Sequence, residues 1–316
     1  MQLRPLGNST LQVAPLMFGG NIFGWTIDQP SSFAVLDAFV AHGFNFIDTA
    51  DVYSRWKPGN QGGESETVIG NWFARSGNRD KVVLATKVGM DLGDGRKGLA
   101  GKYIIEAAEA SLRRLQTDYI DLYQSHVDDA SVPLDETLEA YRQLIAQGKV
   151  RVIGASNYSG ARLREAVELA QREGLPVYQT LQPHYNLYDR EKFEQDQQPV
   201  AEELGIGVIP YFSLASGFLT GKYKSVADTA GKNRETRVAK YFDERGLKIL
   251  QALDEVAAET GAAQATIALA WLLAQPTILA PIASATSVEQ LEALVPAPEL
   301  TLSSAALAKL NEASAY

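Results

Sequence analysis

Short, almost continuous apolar runs alternate along this chain with longer stretches in which apolar side chains return every three or four positions. The runs at residues 16–19, 44–48, 82–87, 119–125, 150–155, 178–182, 207–211 and 277–280 read as buried strands. Between and after them, residues 31–42, 67–75, 102–115, 134–146, 161–172, 199–204, 246–260, 265–274 and 288–294 carry helical periodicity. Ser31 or Ser32 is placed to cap the first of these helices, and Ser159-Gly160 opens the one at 161–172. Residues 2–13 predict a small hairpin turning at Gly7-Asn8. The polar segment 224–245 is the longest stretch without clear periodicity, and a loop of that length in a compact fold is usually functional.

Counted from residue 16, this makes roughly eight strand-then-helix units, the pattern of parallel strands joined by crossover helices. No linker, internal repeat or low-complexity tract divides them. The expected fold is therefore α/β: a single (β/α)8 TIM barrel domain over residues 1–316, with an N-terminal hairpin and a long loop after the seventh strand. Active sites of such barrels lie at the carboxyl ends of the strands. Polar residues sit at those ends here: Asp48 on the second strand, Lys87 on the third, His126 on the fourth, Ser156-Asn157 on the fifth, Gln182 on the sixth and Tyr211 on the seventh. Barrel closure would converge them on one mouth.

Composition narrows the function. The chain has 316 residues, 46% hydrophobic and 21% charged, within the ordinary range for a soluble globular protein. A net charge of −9 disfavours nucleic acid and anionic membrane surfaces as partners. With no cysteine and three histidines (His42, His126, His184), neither a thiolate site nor a zinc motif is present, and no bound metal is expected. The first residues lack a basic region followed by an apolar core, and no apolar run approaches a bilayer span; together these point to a cytoplasmic protein.

The stretches FIDTADVY, GGESETVIG, ATKVG, QSHVDD, GKVRVIGASNYS, QPHYNL and YFSLASGFLTGKY occur in that order between residues 46 and 223, within a resemblance that runs from about residue 16 to residue 294. Together they resemble the aldo-keto reductase superfamily, in particular its bacterial branch near the reductases related to potassium-channel β-subunits. The resemblance implies reduction of an aldehyde or ketone by hydride from NADPH, with NADH not excluded, and a catalytic tetrad at Asp48, Tyr53, Lys87 and His126. Elementary chemistry agrees with those roles. A free phenol titrates near pH 10, so Tyr53 needs a cation close by to act as general acid, and Lys87 is expected to lower its pKa. Asp48 keeps Lys87 charged despite burial. His126 orients the carbonyl and donates to the developing oxyanion.

For the cofactor, the resemblance implies that Ser156, Asn157 and Gln182 hold the nicotinamide carboxamide, with Tyr211 stacked on the ring, and counts Gly20 among the cofactor-binding residues. Phe212, Ser213 and Leu214 begin a stretch ending at Lys222 that would wrap the pyrophosphate. Ser284, Thr286 and Gln290 would meet the adenosine end. That segment often carries a Lys or Arg against the 2′-phosphate; here it does not, and Lys232, Arg234 or Arg237 on the long loop would supply the cation.

Each residue also has a plainer reading. His42 suits a helix C-terminus, and His184 reads as structural. Trp25 and Trp56 are either loop-packing anchors or walls of a substrate pocket. Gly93–Gly98 matches G-x-G-x-x-G, but in a charged loop rather than after the first strand. Tyr53 and Lys57 match a Y-x-x-x-K pair that needs a helix, which Pro58-Gly59 opposes. Two functional rivals stand beside the reductase: a nicotinamide-binding regulatory protein like the channel β-subunits, with little turnover, and a lyase using Lys87 as a Schiff base.

Overall fold

The computed structural model describes residues 1–231 and 235–316. A two-stranded antiparallel hairpin, β1 (Arg4–Pro5) and β2 (Gln12–Val13), precedes eight parallel strands. These are β3 (Met17–Gly19), β4 (Phe46–Asp48), β5 (Val83–Val88), β6 (Ile120–Ser125), β7 (Val150–Ser156), β8 (Thr180–Gln182), β9 (Gly207–Val208) and β10 (Ile282–Ala283), hydrogen-bonded in the order β10-β3-β4-β5-β6-β7-β8-β9. Residues 277–283 close the ring. Val208 N–H donates to Thr277 O and Leu279 N–H to Val208 O, while Met17 N–H donates to Pro281 O and Ile282 pairs with Met17.

The last strand therefore differs from the expected 277–280, and the seventh is shorter than the expected 207–211. Pro281 and Pro210 supply the reason. Neither can donate to a ladder, so regular pairing breaks there and resumes at Ile282 or survives only as the isolated Val208–Ile278 and His184–Tyr211 bridges.

Helices α1 (Gln29–Ala41), α2 (Glu64–Ser76), α3 (Gly101–Leu115), α4 (Leu134–Ala146), α5 (Gly160–Glu173), α6 (Gln198–Leu204), α7 (Glu235–Ala239), α8 (Glu244–Thr260), α9 (Gln264–Leu273), α10 (Val288–Glu292) and α11 (Ser304–Ala313) alternate with or follow the strands. Helix α1 starts two residues before expected, because Asp28 and not Ser31 or Ser32 is the cap. Its carboxylate accepts from Ser31 N–H, and Pro30 fits the first turn. Within the polar 224–245 segment lie a short 3-10 turn (Val226–Thr229) and α7. Helix α11 falls beyond the periodic segments read from the sequence. Among the described residues no single helix is long and apolar enough to cross a bilayer.

Inside the barrel, Met17, Phe46, Val83, Leu122, Val152, Ile209 and Leu279 pack with Leu6 and Val13 of the hairpin, which covers the end where strands begin. The same end carries a charged clamp. Buried Asp121 accepts from Arg79, Arg151 and Leu84 N–H at 2.8, 2.8 and 3.0 Å, and the two guanidinium groups lie over the Tyr119 ring at 3.9 and 4.0 Å. Removing that carboxylate leaves two cations uncompensated. Asp121→Ala should lose about 3 kcal/mol in urea unfolding, while turnover per folded molecule stays near native, since this face lies away from the strand carboxyl ends.

Candidate active site

At the opposite end of the barrel the chain after β4 folds back over β5. Thr49 N–H donates to Ala85 O and Asp51 N–H to Lys87 O, so the turn that follows Asp48 carries Tyr53 above Lys87. Lys87 is fully buried. Its Nζ lies 2.7 and 2.8 Å from the two oxygens of Asp48, 2.9 Å from Thr49 O and 2.8 Å from Tyr53 Oη. Tyr53 Oη in turn donates to Asp48 Oδ2 at 2.9 Å, and Gln182 Nε2 donates to Asp48 Oδ1 at 3.0 Å. The His126 ring stands edge-on to Tyr53 with centroids 5.9 Å apart.

The electrostatics correct one expectation. Tyr53 is held well above the ordinary phenol range, not below it: burial is the larger cause and the Asp48 carboxylate the next. Tyr53 is thus a neutral proton donor at rest. Lys87 donates to its oxygen. Burial lowers the Lys87 pKa against the opposing pull of Asp48. Burial, reinforced by Lys87, also holds His126 well below its usual value, so its imidazole is neutral near pH 7. Its Nδ1 is buried without a hydrogen-bond partner among the described residues. An unpaired acceptor is less costly there than an unpaired N–H, which favours the tautomer with the proton on Nε2.

A cavity of about 970 Å³ opens above this cluster, large for a small-molecule site. Tyr53, His126, Asp48 and Trp56 line one end, with Ile22, Val52 and Met90. Lys87 lies beneath the wall, its amine fully engaged, an arrangement that disfavours a Schiff-base role. Trp25 packs edge-on against Trp56 at 5.5 Å, so of the two tryptophans it is Trp56 that forms wall. Gly20 is also placed off the wall. A Cβ there would meet Asp48 O at 2.7 Å, so the glycine serves the close approach of two strand ends; neighbouring Asn21 lines the cavity instead.

The middle of the cavity presents Ser156, Asn157, Gln182 and Tyr211. Asn157 Nδ2 donates to His126 O at 2.9 Å and contacts Ser156 Oγ at 3.1 Å, while its Oδ1 accepts from Tyr211 Oη at 2.7 Å. These contacts leave the second N–H of Gln182 Nε2 and a lone pair on Asn157 Oδ1, a donor and an acceptor that fit a carboxamide. One face of the Tyr211 ring is covered by His184, with centroids 5.3 Å apart and 18° between planes.

Phe212, Ser213, Leu214, Ser216, Gly217, Thr220 and Lys222 continue the wall. Phe212, Ala215, Ser216 and Gly217 all have positive φ (53°, 47°, 59°, 101°), an irregular backbone of the kind that can turn successive N–H groups to one side. Lys222 Nζ hangs over Gly217, and the Arg237 guanidinium lies 5.7 Å from the Phe212 ring centre. Among the described residues these are the cavity's basic side chains; Lys232 and Arg234 lie outside the described residues. Ser284, Thr286 and Gln290 line the far end. Gln290 Oε1 accepts from Thr286 N–H and Oγ1, leaving Nε2 available.

One group at this end of the barrel gave no functional signal in the sequence. Asp51, in the turn between Asp48 and Tyr53, is buried with neither carboxyl oxygen hydrogen-bonded among the described residues. Burial and then the neighbouring Glu66 carboxylate push its pKa up to about 8. The fold therefore keeps a proton that the unfolded chain loses above about pH 4, and the stability this contributes is lost as pH rises toward 8. Asp51→Asn removes that dependence. The variant should match native protein in urea midpoint at pH 3 and exceed it at pH 8, by up to about 5 kcal/mol.

Comparison with known proteins places this geometry. A sequence model described as the aldo/keto reductase family matches residues 15–315. The chain is 38% identical to the uncharacterized oxidoreductase YrpG of Bacillus subtilis (strain 168), covering 99% of this chain and 95% of that protein. It is 34% identical to Protein tas of Escherichia coli (strain K12), covering 98% and 97%. It is also 33% identical to a probable voltage-gated potassium channel subunit beta of Arabidopsis thaliana, covering 92% and 89%. With a barrel, a strand-end cluster of acid, amine, phenol and imidazole, and a family match over nearly its whole length, the chain belongs to the aldo/keto reductase family of oxidoreductases.

Proposed function

We propose that this protein reduces a neutral aldehyde or ketone to an alcohol with NADPH, using Asp48, Tyr53, Lys87 and His126. The observation that carries the reading is the contact set at Lys87 Nζ, which joins Asp48 to the phenol of a tyrosine that lines the cavity. When bound, the cofactor supplies a hydride to the carbonyl carbon. Gln182 and Asn157 would hold its carboxamide, Tyr211 would cover the ring, and Lys222 with Arg237 would meet its phosphates. His126 Nε2–H holds the carbonyl oxygen in place and donates to it as negative charge builds. Tyr53 gives its proton to the same oxygen, and Lys87 donates to the phenolate left behind. Asp48 fixes Lys87 in place and keeps it charged.

The reading extends to a single-domain, cytoplasmic protein with a small carbonyl substrate and neither nucleic acid nor membrane as partner; the −9 net charge supports it. Ile22, Val52, Met90 and Trp56 around the phenol favour an apolar substrate body. Titration of the protein with NADPH and with NADH, followed by reduced-nicotinamide fluorescence, tests the cofactor. Native protein should prefer NADPH. Arg237→Ala should weaken NADPH about tenfold, the worth of one charge-assisted hydrogen bond, and leave NADH almost unchanged. Equal loss for both cofactors would remove Arg237 from 2′-phosphate recognition.

A further inference from the structure

Behind Tyr211, on the side away from the cavity, one carboxylate gathers an unusual number of partners. Asp189 Oδ2 lies 3.0 Å from His184 Nε2, accepts from Tyr241 Oη at 2.8 Å and from Asn186 Nδ2 at 3.1 Å, and Oδ1 lies 3.5 Å from Lys240 Nζ. Asn186 Oδ1 accepts from Tyr188 N–H and Asp189 N–H, closing a tight polar turn, and Asn186 Nδ2 also reaches Phe212 O at 3.0 Å. Burial opposes ionisation of Asp189, yet these donors, His184 first, hold it below the usual carboxylate range. His184 stacks on Tyr211 and stands edge-on to Phe212, while Tyr241 stacks on Phe218. None of this takes part in the chemistry above.

We propose that His184 and Asp189 are positioning residues for Tyr211, and that Asp189 links this ring to the end of the long polar segment at Lys240 and Tyr241. The proposal rests on Tyr211 being the ring that covers the nicotinamide. A side chain offering one flat face to a ligand needs support on the other, and an imidazole turns about its own axis unless a ring nitrogen is held. The Asp189 charge 3.0 Å from His184 Nε2 supplies that hold, as a close ion-pair contact outside aligned hydrogen-bond geometry, and the same carboxylate accepts from Tyr241. A change at residues 240–241 is therefore felt at the nicotinamide end through a single shared group.

The test uses the full chain with NADPH, reading both the dissociation constant and the fluorescence of the bound reduced nicotinamide, alongside KM and kcat. Native protein that fails to bind NADPH would overturn the cofactor reading itself. Given native binding, Asp189→Asn should weaken NADPH about tenfold and shift the bound emission toward that of free cofactor, with kcat at saturation within about twofold of native. Tyr241→Phe, which deletes one hydroxyl outside the cavity wall and keeps the stack on Phe218, should reproduce part of that loss. The two changes should not add, because they act through one carboxylate. His184→Phe keeps a flat support that needs no carboxylate, so it should bind NADPH like native protein and make a second change at Asp189 nearly silent. Native-like binding and emission in Asp189→Asn would overturn the proposal, as would full additivity with Tyr241→Phe. So would an undiminished effect of Asp189→Asn in the His184→Phe background.

Discussion

Replacing Lys87 by Met should remove activity and about 3–5 kcal/mol of stability together, the largest combined effect of any single change here. The lysine is fully buried with its amine 2.7–2.8 Å from Asp48, so the variant leaves a buried carboxylate without its cation. Turnover should fall at least as far as removal of a general acid would take it, about 10²–10⁴-fold, because nothing then steadies the Tyr53 phenolate. A double variant separates the two losses. Asp48→Asn with Lys87→Met replaces the ion pair by neutral groups of similar size and should recover most of the urea midpoint with none of the turnover. A double variant as unstable as the single one would show that Lys87 supports the fold through packing and not through its charge. Cofactor affinity should survive the single change, since Lys87 lies beneath the cavity wall.

The second large effect falls on Tyr53. Tyr53→Phe deletes one oxygen and preserves the ring against Trp56 and His126. We expect kcat to drop about 10²–10⁴-fold with NADPH affinity within a few-fold of native. Stability should change by only about 1 kcal/mol, since Asp48 keeps Lys87 and Gln182 as donors. The pH profile of the native protein carries a related expectation. Burial and Lys87 hold His126 well below its ordinary 6.5, so the rate should show no inflection there. A limb near pH 6.5 would mean that His126 titrates as an exposed imidazole does.

The barrel was legible in the sequence because eight apolar runs of strand length ended in polar residues, and closure brings those ends together. Strand limits were less legible wherever proline intervened. Pro210 and Pro281 sit inside apolar runs, and their missing N–H groups matter only once the neighbouring strand is known. The cap of α1 was misplaced because Asp28 and Ser31 are both good caps in isolation, and only the backbone shows which side chain accepts. The strand-end cluster was legible as residue types, but the direction of the Tyr53 shift was not. The sequence offers a lysine to favour the phenolate, whereas burial and an Asp48 oxygen at 2.9 Å outweigh it in the folded protein.

Asp51 and Asp189 mark what pattern reading misses. Each looks like an ordinary polar loop residue. One resists ionisation because the fold buries it and then because α2 brings Glu66 beside it, and the other becomes a hub because residues 240–241 return across about fifty positions of chain. Trp25 and Trp56 show the same limit at the cavity edge: both suit a wall, and packing assigns that place to Trp56.

On the proposed function, carbonyl reduction takes place above Tyr53, with hydride from a bound nicotinamide. A decisive measurement is the fate of deuterium when both hydrogens of the reactive nicotinamide carbon of NADPH are replaced by it, read by mass spectrometry of the alcohol formed from an aromatic aldehyde. Native protein should deliver one deuterium to the carbinol carbon, and Tyr53→Phe should yield almost none in the same time. Alcohol formed without deuterium, or formed equally fast by the Phe variant, would contradict the account.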